Sequence, residues 1–290
     1  MASVAHCMFS GEPVSNDEHI IPKWMQRRYN LANQTYHLPN GSKIAYRNAK
    51  VPVAEEHNSK FSEIEGRISD GSASLKDIYL WAFQIHIGLI YKDSALKVDI
   101  KNPGAETFWN VDDFDEEIQI FRQLYSAWRG GLNIEPKPFG SVFVLDAVTP
   151  EDDFDFIHDL RSGHLFFQLG HQIVFVSLWD QCDGMISNIP DVIEGYRAFV
   201  SSLPLEERQT RAYVGQRVWA CEAAYVLYRS RRQLILIKGE NALSAVPKLG
   251  PPRVRPPQEA ELASFCRTFG LRLVRFGGEV GNAFESYQPD

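Results

Sequence analysis

Glu18 and His19 stand side by side in the run Asp17-Glu18-His19-Ile20-Ile21-Pro22-Lys23-Trp24. A carboxylate binds a hard divalent cation, and an imidazole takes a proton from water near neutral pH, so the pair offers two complementary chemistries. The β-branched residues and the proline that follow place the histidine at a strand end and direct the chain into a loop. Taken alone, the pentapeptide fits an ordinary surface Glu–His contact equally well. A second stretch, Val51-Pro52-Val53-Ala54-Glu55-Glu56-His57-Asn58-Ser59-Lys60-Phe61-Ser62-Glu63-Ile64-Glu65, sets a histidine and an asparagine beside the start of a helical pattern.

Other constellations carry less. His158 and His164 with Asp152, Asp153, Asp155 and Asp159 have the spacing of an acidic amphipathic helix followed by a strand. Cys182 lacks a cationic helper or a Gly-rich nucleophile context. Arg229, Arg231, Arg232 and Lys238 form a basic knot of the kind found at solvated helix ends. There is no Walker loop and no Gly-rich dinucleotide signature.

The elements that must position the first two stretches can be read from local pattern. Phe61, Ile64 and Ile68 fall at helical spacing, which places Asn58 at or just before the first turn of a helix. Upstream, Leu38-Pro39-Asn40-Gly41-Ser42 predicts a hairpin with a short strand over 43–46. Ser69-Asp70-Gly71-Ser72 reads as a connector, and Ser74 with Asp77 has capping-box spacing at the head of an apolar helix that runs to about Tyr91. Phe114, Ile118, Phe121, Tyr125 and Trp128 mark a second helix, with acids in its first turn and Gly130 past its end.

Further on, 142–145 predicts a buried strand, 152–161 a short helix, and 164–179 a hairpin around Gly170-His171. Helices are expected over 191–202 and 205–229, strands over 233–238 and 271–276, and a stiff Pro-rich loop over 247–257. The fold expected is α+β: a small N-terminal module over 1–70, followed by a mixed α/β domain over 71–290.

The chain has 290 residues, 44% of them hydrophobic, which suffices for a sizeable core and excludes disorder as the main state. Its apolar runs are far shorter than the roughly 20 residues that cross a bilayer. Four scattered cysteines and an N-terminus without a basic, then apolar, leader suit reduced thiols and a cytoplasmic protein with no membrane insertion. A net charge of −7 argues against a generally basic nucleic-acid binder, but residues 1–68 carry eight Lys or Arg against seven Asp or Glu and could approach a phosphate backbone.

Together the Glu-His-Ile-Ile-Pro run and the Asn58 segment resemble the HNH endonuclease family, over roughly residues 5 to 70. The resemblance implies a ββα-metal finger holding one divalent cation, Mg2+ or Mn2+, and a DNA substrate. By the same resemblance His19 is the general base, Glu18 and Asn58 are metal ligands, and Lys23, Arg27, Arg28 and Lys60 are candidates for flanking phosphates. It also implies a 5′-phosphate and a 3′-hydroxyl as products, and a setting in bacterial restriction or phage defence.

Where the group carries four structural zinc cysteines, this chain has Cys7, Ser10, Ala54 and His57. Serine is a poor zinc ligand and alanine none, so no structural zinc is expected. Phe9, Ile20, Ile21, Trp24, Val51, Val53, Phe61 and Ile64 are expected to hold the finger instead, with docking on the rest of the chain. The acidic remainder, 71–290, suits a regulatory or protein-partner role. Two alternatives accompany this reading: an inactive HNH-like module that binds nucleic acid or protein, and an active surface lying wholly within 71–290.

Overall fold

The computed structural model describes residues 6–14, 16–102, 104–135, 139–147, 149–160, 162–179, 205–230, 234–247, 255–256, 258–274 and 287–289. The helix expected over 191–202, Cys182, and most of the Pro-rich loop over 247–257 lie outside these residues. The architecture is mixed α and β, in two compact units, one of residues 1–134 with 238–243 and the other of 135–237 with 244–290. The boundary expected near residue 70 falls inside the first unit, because Ser69-Asp70-Gly71-Ser72 is a tight connection between two packed helices.

In the first unit, β1 (Asp17–His19) pairs antiparallel with β4 (Lys50–Pro52), aligning Glu18 with Val51 and His19 with Lys50. Between them come α1 (Lys23–Arg28) and the hairpin of β2 (Thr35–His37) with β3 (Lys43–Ala45), turned at Asn40-Gly41 as the dipeptide predicts. The chain leaves β4 directly into α2 (Glu55–Ser69), then α3 (Leu75–Ser94) and α4 (Asp115–Arg129). The capping box at Ser74 forms as its spacing predicts. Asp77 also takes a bidentate contact from Arg67 at 2.6 and 3.0 Å, tying α2 to α3. Burial works against its charge, but the bonds from Arg67 and Ser74 hold its carboxyl below the usual range.

α3 is apolar on every face, with Tyr79 to Ile90 buried in succession, so it forms the centre of this unit. Gly88 on α3 lies against β1's loop, where an added methyl would meet Ile20 Cγ1 at 3.3 Å. Of the apolar residues expected to form the core of the N-terminal module, Phe9, Ile20, Ile21, Val51, Val53, Phe61 and Ile64 are buried, and Trp24 is half-buried.

Near the end of α3, the Asp93 carboxyl is pushed up to about 7 by burial, only partly offset by Lys92, and burial together with Asp93 raises the Tyr36 phenol on β2. The folded chain therefore prefers Asp93 protonated. Its contribution is full below about pH 4 and is lost as pH rises through about 7. Asp93→Asn is expected to stabilise the protein by about 2–4 kcal/mol at pH 8 and by little at pH 4. Urea denaturation at the two values checks this; equal effects at both would reject it.

The second unit is built on an antiparallel sheet ordered β5 (Ser141–Asp146), β8 (Gln172–Ser177), β7 (His164–Leu169), β6 (Phe154–Asp159). The expected helix over 152–161 is corrected to β6. Phe154-Asp155-Phe156-Ile157-His158-Asp159 pairs residue for residue with β7, and Asp155 bonds Arg217 at 3.0 Å. The β7–β8 hairpin turns at Gly170, whose φ of 62° and approach to the Glu151 carbonyl admit only glycine. Phe166 and Phe175 pack with Trp219 and Tyr225 of α5 (Leu205–Ser230) and Phe265 of α6 (Glu259–Thr268). Short ladders complete the described elements: β9 (Leu234–Lys238) with β10 (Leu243–Pro247), and β11 (Leu271–Leu273) with β12 (Tyr287–Pro289).

Candidate metal centre

Pairing of β1 with β4 brings two segments forty residues apart to one place, because β4 runs straight into the helix that carries Asn58. The Asn58 Nδ2 donates to Glu18 Oε2 at 2.6 Å. The other carboxylate oxygen accepts the His19 backbone N–H at 2.8 Å and lies 3.3 Å from the His19 ring at Nδ1. An ionised carboxylate only accepts, so Nδ1 is the donor in this contact, and in the neutral ring Nε2 is then the nitrogen with the lone pair. Glu18 and His19 are both largely covered, with side chains 20% and 12% exposed.

Asn58 is not at the helix start as expected. α2 begins three residues earlier, at Glu55, and the Asn58 N–H already bonds the Ala54 carbonyl at 3.1 Å. Ala54 offers no capping side chain, and Glu55 and Glu56 supply the negative charge that favours a first turn there.

Sequence reasoning assigned no role to Glu65. It lies two helical turns beyond Asn58, and burial, then the Glu18 charge, push its carboxyl up to about 7. The signal available in sequence was its spacing of seven from Asn58, which puts both on one helix face.

The Glu18 carboxylate and an Asn58 amide oxygen are donor types that suit a hard cation such as Mg2+ or Mn2+, but here Asn58 turns its amide nitrogen to Glu18, so joint oxygen ligation requires the amide to rotate. Among the described residues no three His, Cys, Asp or Glu side chains converge.

Of the basic candidates, Lys23, Arg27 and Arg28 lie on α1, immediately after the Ile20-Ile21-Pro22 loop, and are exposed. Arg28 reaches the Ser69 carbonyl at 3.5 Å. Lys60 is engaged differently, with its ammonium 2.7 Å from Glu63 and over the Trp128 ring at 5.9 Å.

Around Cys7, Ser10, Ala54 and His57 the chain is held by packing and hydrogen bonds. Cys7 Sγ accepts the Ala54 N–H at 3.4 Å, and the turn from Cys7 closes with Gly11 N–H to the Cys7 carbonyl at 2.7 Å. The His57 ring meets the Tyr125 hydroxyl at 2.9 Å and Arg129 at 3.1 Å. Burial first, and then the Arg129 charge, hold its imidazole below the usual range, against the opposing pull of Glu56. The ring of Phe9 occupies the space between, with centroids 4.6 Å from Tyr125, 5.4 Å from Phe61 and 5.5 Å from Phe121. A cavity of about 520 Å3 beside Phe9, His57, Arg122 and Arg129 includes neither Glu18 nor His19.

Elsewhere, His158 lies on a strand rather than the expected acidic helix, and burial pushes its imidazole down to about 3. Lys238, from the basic knot, is exposed at the end of β9. No helix of the described residues is long and apolar enough to cross a membrane. Compared with family models, curated proteins and solved structures, the chain matches none.

Proposed function

We propose that the chain is a metal-dependent HNH-type endonuclease that hydrolyses DNA phosphodiester bonds, with β1, β4 and α2 as its ββα-metal core. The observation that carries the reading is the meeting of Glu18, His19 and Asn58 from β1 and α2 around one carboxylate. Glu18 has two roles here. It holds the His19 ring through Nδ1, which makes Nε2 the basic nitrogen of the neutral ring, and with the Asn58 amide, its oxygen turned to the ion, it would hold Mg2+ or Mn2+. When bound, such a cation neutralises charge on the phosphate and on the departing 3′ oxygen. His19 Nε2 takes the proton from the attacking water, and breaking the P–O3′ bond leaves a 5′-phosphate and a 3′-hydroxyl. Lys23, Arg27 and Arg28, exposed on α1 next to the histidine's loop, are the cations available to flanking phosphates. Residues 135–237 and 244–290 regulate the cut or bind a protein partner, consistent with the acidic balance of the chain.

The test is supercoiled plasmid with Mg2+ or Mn2+. Conversion to open circle that a chelator stops, and that His19→Ala has lost, is expected. Nicking by His19→Ala at the wild-type rate rejects His19 as the base. Tight DNA binding with no nicking by either protein favours the inactive binding module.

A further inference from the structure

We infer that Lys50 is a phosphate-holding residue of the nuclease site, an inference that rests on the proposed function. Lys50 stands directly opposite His19 in the β1–β4 register. Directly opposed residues of an antiparallel pair project from the same face with Cβ atoms about 4.5–5.5 Å apart. Its strand neighbours Ala49 and Val51 are 0% and 1% exposed, so alternation sends the Lys50 side chain outward on the face that His19 shares.

Three other cations of this unit are paired with carboxylates, Lys60 with Glu63, Arg67 with Asp77 and Arg129 with Glu56. Among the described residues no ion pair is formed by Lys50, which leaves a flexible ammonium on the strand position opposite His19. The chemistry that complements it is the anionic backbone phosphate of a strand whose scissile bond faces His19. A contact of this kind exists before and during the reaction, so it acts on substrate binding more than on turnover. It is blind to base sequence.

The test uses the full chain with Mg2+ and a fluorescently labelled duplex, comparing wild type, Lys50→Ala, Lys50→Arg and, as an exposed lysine of the 95–110 loop, Lys101→Ala. For Lys50→Ala the expected result is a KM raised about tenfold with kcat within about twofold. The plot of log kcat/KM against log salt should also be flatter by about 0.9. Lys50→Arg should recover most of the loss and Lys101→Ala should match wild type. A cleaving wild type whose Lys50→Ala variant keeps its KM and salt slope overturns the role of Lys50 and leaves the nuclease reading standing. A wild type that cuts nothing with either cation overturns the nuclease reading, and Lys50 with it.

Discussion

His19→Ala is expected to lower plasmid nicking by about 10²–10⁴-fold, the usual contribution of a positioned general base. The variant removes the only imidazole in contact with Glu18 among the described residues, while the Asn58–Glu18 hydrogen bond at 2.6 Å is left in place. Cation binding should therefore survive the substitution. Mg2+ or Mn2+ titration followed by calorimetry would show wild-type affinity in a protein that no longer cuts. A variant that loses cation affinity and activity together would instead mean that His19 is a ligand through Nε2, the nitrogen its Nδ1 contact with the carboxylate leaves open. His19 is largely covered, with 12% of its side chain exposed, so its truncation also removes packing contacts, and thermal unfolding should fall by several degrees with the fold retained.

The largest effect on stability is expected at Phe9. Its ring touches those of Phe61, Phe121, Tyr125 and His57, and it is 4% exposed. Phe9→Ala should destabilise the chain by about 3–5 kcal/mol, from lost transfer energy plus an unfilled cavity. The aromatic cluster packs directly on the turn from Cys7 to Gly11. Arg122 assists by donating to the Cys7 and Met8 carbonyls at 3.4 and 3.2 Å. Urea denaturation measures the loss. A change below about 1 kcal/mol would show that the turn is anchored by something other than this ring.

Much of the fold was legible because its signals are local. Asn40-Gly41 makes the hairpin, Ser74 and Asp77 make the capping box, and the stripe from Phe114 to Trp128 makes the buried face of α4. The misreadings share a cause, since each depended on partners distant in sequence. The acids among 152–159 were compatible with a helix until pairing with β7 fixed the period at two. The connector at 69–72 looked like a domain boundary until α3 was seen to bury itself against α2, β4 and α4.

At the candidate site, Glu18 and His19 were legible as adjacent residues of matching chemistry. The position of Asn58 follows from a helix that starts at Glu55 without a capping side chain, and the closeness of Glu65 to Glu18 and the alignment of Lys50 follow from the β1–β4 register. No short window of residues contains that register.

Gly88 gives the central helix an influence on chemistry it never touches. Because Ile20 follows His19 directly and fills the notch that a bare α-carbon leaves, the girth of residue 88 sets how deep the loop after β1 can seat. A wider residue there would lift that loop like a shim under a hinge, tilting the imidazole while leaving every reactive atom chemically intact. On the proposed function, the cutting rate would then be tunable from the core, by a residue apart from Glu18, His19 and Asn58.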